Sequence, residues 1–172
     1  NSSIALYCGD GAYCTIDKDR DYMIASYLYN QHFYFMLPYT GAYEYKLEKE
    51  DAPQQGDFIN QAGLDHNLNI FYSNGGSGKI NRYILGSSSV TKKQLTNALF
   101  TGSATAFKVS PYTISSTTLL VGTDKSKLFK LTNTDEISAA ITWVEILVPF
   151  VGSVSDIEFG TSENEIFVTI HN

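Results

Sequence analysis

SATAFKVSPYTISSTTLLVGTDKSKLFKLTN, residues 103–133, runs in short stretches rich in Val, Leu, Phe and Thr, each broken by Ser, Pro, Gly, Asp or Asn. Alternation with period two belongs to β-strands, and residues suited to turns punctuate it. Extended to ITWVEI at 141–146, the stretch predicts four strands, at 104–109, 118–122, 127–132 and 141–146. TLLVG in the second strand is nearly all apolar, as expected where neighbouring sheets cover both faces; ITWVEI alternates like an outer strand.

Two other stretches share this plan of a small-residue start, an alternating strand, a polar turn and a more apolar strand. They are GDFINQAGLDHNLNIFYSNGGSGKINRYILGS from Gly56 and GSVSDIEFGTSENEIFVTIHN from Gly152. The three copies begin roughly 46 to 50 residues apart, the length of a propeller blade. The expected fold is all-β: a partial β-propeller of four-stranded antiparallel blades, about three blades plus incomplete edge strands. SVTKKQLTNALF at 89–100 suits either a helical turn or two or a loop entering an outer strand.

At the ends, IALYC and AYCTID read as second and third strands, and VSDIEFG and EIFVTIH as a first and second. Propellers close with about four to eight blades. Residues 1–172 are therefore read as one domain that is a fragment of a larger propeller, or that completes its sheet with another copy. Open sheet edges favour such self-association.

The 172 residues are 43% hydrophobic, enough for a core. With 12 Lys+Arg against 18 Asp+Glu, the net charge of -6 repels phosphate backbones and anionic lipid, so no nucleic-acid partner is expected. The longest apolar stretch, ITWVEILVPFVG at 141–152, is too short to span a bilayer and is interrupted by Glu145 and Pro149, which argues against membrane insertion. The opening NSSIALYCG lacks the plan of an export signal, so any such signal is expected to have been removed or to lie upstream. Cys8 and Cys14 flank GDGAY, and a hairpin with its tip near Asp10 sets Cys8 opposite Ala12 and Cys14 opposite Leu6. That diagonal, about 7 to 8 Å, is too long for an unstrained disulfide, so both are read as thiols packed as small hydrophobes.

CTIDKDRDY at 14–22 is the densest cluster of reactive groups. Asp17, Asp19 and Asp21 imitate the start of an EF-hand, but Tyr22 and Leu28 stand where that loop needs Gly and Glu. A looser calcium site is the lesser alternative, and no metal or cofactor is assigned. The preferred reading is a degenerate Asp-box turn, with Thr15, Asp17 and Tyr22 in the hydroxyl, carboxylate and aromatic positions and Asp19 replacing a glycine. A carboxylate in a tight turn accepts backbone N–H bonds, and Asp can adopt the left-handed conformation.

SNGGSGKI at 73–80 resembles a phosphate-binding loop, but Ser73 and Ile80 occupy positions that need Gly and Ser or Thr. A hairpin loop between NIFYS and KINRYIL fits better. No serine elbow or spaced acid pair stands out, and His32, His66 and His171 are scattered, which reads as surface or loop histidines without catalytic assignment. The segment YLYNQHFYFMLPYTGAYEY, 27–45, holds six of the twelve tyrosines. Tyr27, Tyr29, Tyr34, Tyr39, Tyr43 and Tyr45 are candidates for contact with a glycan or protein ligand, with packing between blades as the competing role.

GDGAYCTI, YLYNQHFYFMLPYTGAYEY, FINQAGLDHNLNIFYSN, INRYIL and SVSDIEFGTSENEIFVTIHN together resemble the sortilin-like, Asp-box propeller region of proteins exported by bacteria through the type IX (Por) secretion system. The resemblance implies an extracellular or cell-surface location and a noncatalytic binding or scaffolding role. In such proteins the last segment usually continues into further strands, which supports the fragment reading. Related propellers include sialidases and xyloglucan-active glycoside hydrolases. The sialidase version needs a trio of arginines, and this chain has only Arg20 and Arg82. A xyloglucanase-like enzyme with catalytic acids partly outside the chain is the alternative function.

Overall fold

A computed structural model of the protein describes residues 13–48, 55–136, 140–149 and 151–172. Among the described residues, fourteen strands form three four-stranded antiparallel sheets and a two-stranded one. The first sheet contains β1 (Cys14–Ile16), β2 (Tyr22–Ser26), β3 (His32–Met36) and β4 (Tyr45–Lys46). The second contains β5 (Ala62–Asp65), β6 (Ile70–Asn74), β7 (Ile80–Leu85) and β8 (Val90–Leu95). The third contains β9 (Ala104–Val109), β10 (Leu119–Thr123), β11 (Leu128–Thr132) and β12 (Thr142–Ile146). β13 (Ser153–Phe159) and β14 (Ile166–His171) begin a fourth.

Within each sheet the strands follow one another in chain order, and β9 lies against both β5 and β13. First strands thus line a common inner side while later strands step outward, which is the arrangement of a partial propeller. All four predicted strands of the third blade agree with the structure to within one residue. β10 is buried throughout: Leu119 and Val121 pack toward the second blade, and Leu120 toward the fourth. Each such side chain contributes roughly 1.5–3 kcal/mol through removal from water.

Of the two readings of 89–100, the outer strand is the one formed, as β8. AYCTID supplies the first strand of its sheet, β1, and not a third. The turns explain the difference: the bend at 17–21 joins first and second strands here, as the bend at 66–69 does in the second blade. IALYC and Cys8 lie outside the described residues. Cys14 is a free thiol and is exposed in β1, so it does not pack as a core hydrophobe.

Blades approach closely where glycine removes a side chain. A Cβ on Gly122 would stand 2.3 Å from Val154 Cγ1, and one on Gly63 would stand 3.1 Å from Phe107 Cβ. The β13–β14 hairpin is also hooked onto the third blade by Glu163. Its Oε1 accepts from Ser110 Oγ at 2.6 Å and Thr113 Oγ1 at 2.5 Å, and its Oε2 from Lys130 Nζ at 3.1 Å. Partial burial raises the Glu163 pKa, but the hydroxyl bonds and Lys130 outweigh it and hold the carboxyl down at about 2.

Candidate functional site

The tyrosine-rich segment divides between two faces of the first sheet, because β2, β3 and β4 pair in a register that sets Ile24 opposite Tyr34 and Tyr34 opposite Tyr45. On the face toward the second blade, Tyr22, Tyr34 and Tyr45 form one stack, with ring centroids 4.8 and 4.6 Å apart. The Tyr22 hydroxyl donates to Asn69 Oδ1 at 2.9 Å and the Tyr45 hydroxyl to the Gly86 carbonyl at 2.7 Å, both in the second blade. Burial first, and then nearby carboxylates led by Asp17, raise the pKa values of Tyr22 and Tyr34. This part of the cluster joins blades.

On the opposite face, Tyr43 is 41% exposed and lies over buried Phe33, with centroids 5.1 Å apart; half-buried Tyr39 sits 5.9 Å from Phe35. Tyr29, also half-buried, meets exposed Phe58 edge-on at 5.8 Å beside exposed Ile59. Tyr27 is half-buried just beyond β2. The candidates therefore do not form one surface: Tyr34 and Tyr45 are used in packing, whereas Tyr39 and Tyr43 present an aromatic patch and Tyr29 a second one.

The acidic segment forms the turn between β1 and β2. Asp17 N–H donates to the Tyr22 carbonyl at 2.9 Å, and Asp17 Oδ2 accepts from the Asp19 N–H at 3.0 Å. Tyr22 is tucked beneath at 4% exposure. The left-handed residue is Arg20, with φ of 64°, where Asp19 was the expected one. Thr15 lies in β1 beside Tyr13, and no bond from its hydroxyl to the turn backbone is present among the described residues. The second blade repeats this device. Asp65 Oδ1 accepts from the N–H groups of Asn67 and Leu68 at 2.8 and 3.1 Å, and Asn69 has φ of 54°. The similarity of IDKD at 16–19 to LDHN at 64–67 was the available signal for it.

These two turns face each other across a recess of about 340 Å³, lined by the three acids of the first turn, His66, Asn67 and Asn69, with Met36, Leu37 and Leu85 as apolar walls. Asp17 Oδ1 is buried and has no hydrogen-bond donor; His66 Nδ1, 3.6 Å away, also lacks a partner. A larger cleft of about 620 Å³ runs along the inner side, between β5, β9 and β13. Phe107, Pro111 and Ile114 give it an apolar wall, and the Lys108 ammonium meets the Glu158 carboxylate at 2.6 Å in it.

His32 corrects the surface-or-loop expectation: it is wholly buried in β3. Its Nε2 lies 3.2 Å from Asn30 Oδ1, which also accepts from Asn60 Nδ2 and Ser73 Oγ, and its Nδ1 lies 2.6 Å from Ser26 Oγ. Asn30 Oδ1 can only accept, so the imidazole donates from Nε2 and accepts the Ser26 hydroxyl at Nδ1 as a neutral ring. Arg82 is likewise buried, its Nη1 donating to the Thr134 and Glu136 carbonyls at 2.5 and 2.6 Å across the second and third blades. Arg20 sits in an exposed turn of the first sheet, so the two arginines do not converge.

SNGGSGKI forms the β6–β7 hairpin loop, closed by the Gly75 N–H donating to the Lys79 carbonyl at 3.0 Å. Among the described residues, no three His, Cys, Asp or Glu side chains form a group able to hold a metal ion, and no helix is long and apolar enough to cross a membrane. No family model matches the chain, and no curated protein matches it.

Proposed function

We propose that this chain is a noncatalytic extracellular or cell-surface propeller module that binds a glycan or protein ligand, related to the sortilin-like, Asp-box propellers of type IX secretion cargo. The observation carrying the proposal is the aromatic patch of Tyr39 and Tyr43 over Phe33 and Phe35, which stays partly exposed while the neighbouring tyrosines are consumed between blades. Tyrosine offers a rigid flat face with a polar tip and loses little entropy on contact. In the inner cleft, pairing of Lys108 with Glu158 suits a scaffold better than an acid kept ready for proton transfer.

Binding to glycan and peptide arrays should fall by about tenfold in Tyr39→Ala/Tyr43→Ala, a loss of about 1.4 kcal/mol. Unchanged array binding would remove these residues from the ligand surface. Hydrolysis of xyloglucan oligosaccharides by the intact protein would replace the module with the glycoside hydrolase alternative.

Self-association is part of the proposal. Among the described residues β14 pairs on one side only, with β13, and its sequence IFVTIH carries no Lys, Glu or Pro to discourage another strand. Light scattering should show a dimer whose population rises with concentration; a monomer across the micromolar range would exclude this edge pairing.

A further inference from the structure

The first two blades repeat residue for residue at a spacing of 48. Cross-strand register sets Ile16, Met23 and Phe35 in one row of the first sheet, and Leu64, Phe71 and Tyr83, each 48 positions later, in one row of the second. The adjoining row of Cys14, Ala25 and Phe33 matches Ala62, Ser73 and Asn81 in the same way. In the second blade all six positions are at most 5% exposed, because that face packs against Tyr22, Ile24 and Tyr34 of the first. Side chains alternate along a strand, so Met23, Ala25, Phe33 and Phe35 point away from the second blade. Phe33 and Phe35 are covered there by Tyr43 and Tyr39 from the chain that follows β3. The two inner strands stay open: Ile16 is 57% exposed, and Met23 and Ala25 are half-buried.

A face of this make-up is covered by a β-sheet one repeat later in the same molecule. Its hydrocarbon and sulfur side chains offer little hydrogen bonding to sugar hydroxyls, which favours a protein over a glycan. Among the described strand residues its one charge is Lys46, whose ammonium lies over the Phe33 ring at 5.5 Å. Two copies therefore meet there without the like-charge repulsion that a net charge of -6 imposes on the rest of the surface. The bare face of β13 and β14 is a poorer match, since Glu158, Thr169 and His171 stand on it beside Phe167. The best complement is the same face on a second copy, an isologous contact.

We infer that this face of the first blade packs on its counterpart in a second copy of the chain, with Ile16 and Met23 at the centre and Tyr39 and Tyr43 at the rim. The inference rests on the reading of the Tyr39 and Tyr43 surface as a binding face and names a protein as its occupant. It uses a sheet face, whereas the β14 pairing uses a sheet edge. Three strands of five residues cover roughly 15 by 17 Å, so the contact belongs to the small, weak class and needs concentrations above micromolar.

Sedimentation velocity from about 10 to 500 µM tests it, and the monomer should give way to a dimer as concentration rises. Ile16→Lys changes an exposed position and sets like charges across the twofold axis; the dimer Kd should rise at least about tenfold with the thermal midpoint unchanged. In a Cys8→Ser background, a flexible bis-maleimide should join Cys14 of two copies in the parent and fail to do so in Ile16→Lys. Thr169→Lys, at an exposed position of β14, probes the edge instead. A dimer that survives Ile16→Lys and is lost in Thr169→Lys belongs to the β14 edge and overturns the assignment, as does a monomer at every concentration. Unchanged array binding in Tyr39→Ala/Tyr43→Ala beside an Ile16-dependent dimer would refute the wider ligand reading while supporting this one.

Discussion

Gly122→Ala should destabilise the protein by about 3 kcal/mol, at the upper end of what overpacking costs. Gly122 lies in β10, where the third blade meets the fourth, and an added Cβ would stand 2.3 Å from Cγ1 and 2.4 Å from Cβ of Val154. Val154 is wholly buried and β-branched, so it has little freedom to rotate away. The clash must move β13 as a unit. Denaturant unfolding of Gly122→Ala, Val154→Ala and the double variant would isolate the contact, because enlarging one side and trimming the other should restore part of the loss. Strictly additive effects would show that these two positions do not touch. Gly63→Ala is the internal comparison: at 3.1 Å from Phe107 Cβ its methyl needs a shift of only tenths of an ångström, and its cost should be smaller.

The third blade was legible from sequence because its strands are short, alternate cleanly and are separated by Ser, Gly, Asp and Asn. Its turns have φ of 58° at Ser126 and Asn133, within reach of the residue types found there. Strand order in the first sheet was harder, since AYCTID has the same period whether it is first or third in a blade. What settles it is pairing with residues 22–26, a register that alternation alone does not encode.

The site was less legible than the fold. Clustered tyrosines were visible, but which of them stack depends on cross-strand register: Tyr22 and Tyr45 come together only because Tyr34 lies between them. The positive φ at Arg20 had no compositional marker, because the usual Asn or Gly is missing there. The recess depends on two turns 48 positions apart in the chain, those of Asp17 and Asp65, being neighbours in space. The burial of Arg82 likewise depends on another blade, because the third blade's loop supplies the carbonyls that accept from it. Each of these is a consequence of blades packing face to face, which a local pattern predicts in kind but not in detail.

Acidification from pH 6.5 toward 3 should cost the native state on the order of 4 kcal/mol through His32 alone. Burial is the main reason its pKa is lowered to about 3, with Lys92 adding repulsion. Between that value and the ordinary one near 6.5, the unfolded chain binds a proton that the folded chain refuses, so stability rises with pH. The contribution is complete above the unfolded pKa and drains away below it, with a slope approaching about 1.4 kcal/mol per pH unit. Protonation would also put a second hydrogen where Nδ1 now accepts from Ser26 and would leave a charge among Asn30, Phe71 and Tyr83. Glu163 adds acid lability in a window from its unfolded value near 4.5 down to about 2, which overlaps the lower part of the His32 window and leaves the range above 4.5 to the histidine. Urea unfolding of the parent and His32→Gln at half-unit intervals from pH 7 to 4.5 isolates the histidine. The variant should be less stable at pH 7, having lost hydrogen bonds, yet nearly flat across that interval while the parent falls steeply. Parallel slopes would mean that His32 takes up its proton in the folded state and that the buried asparagine network around it tolerates the charge.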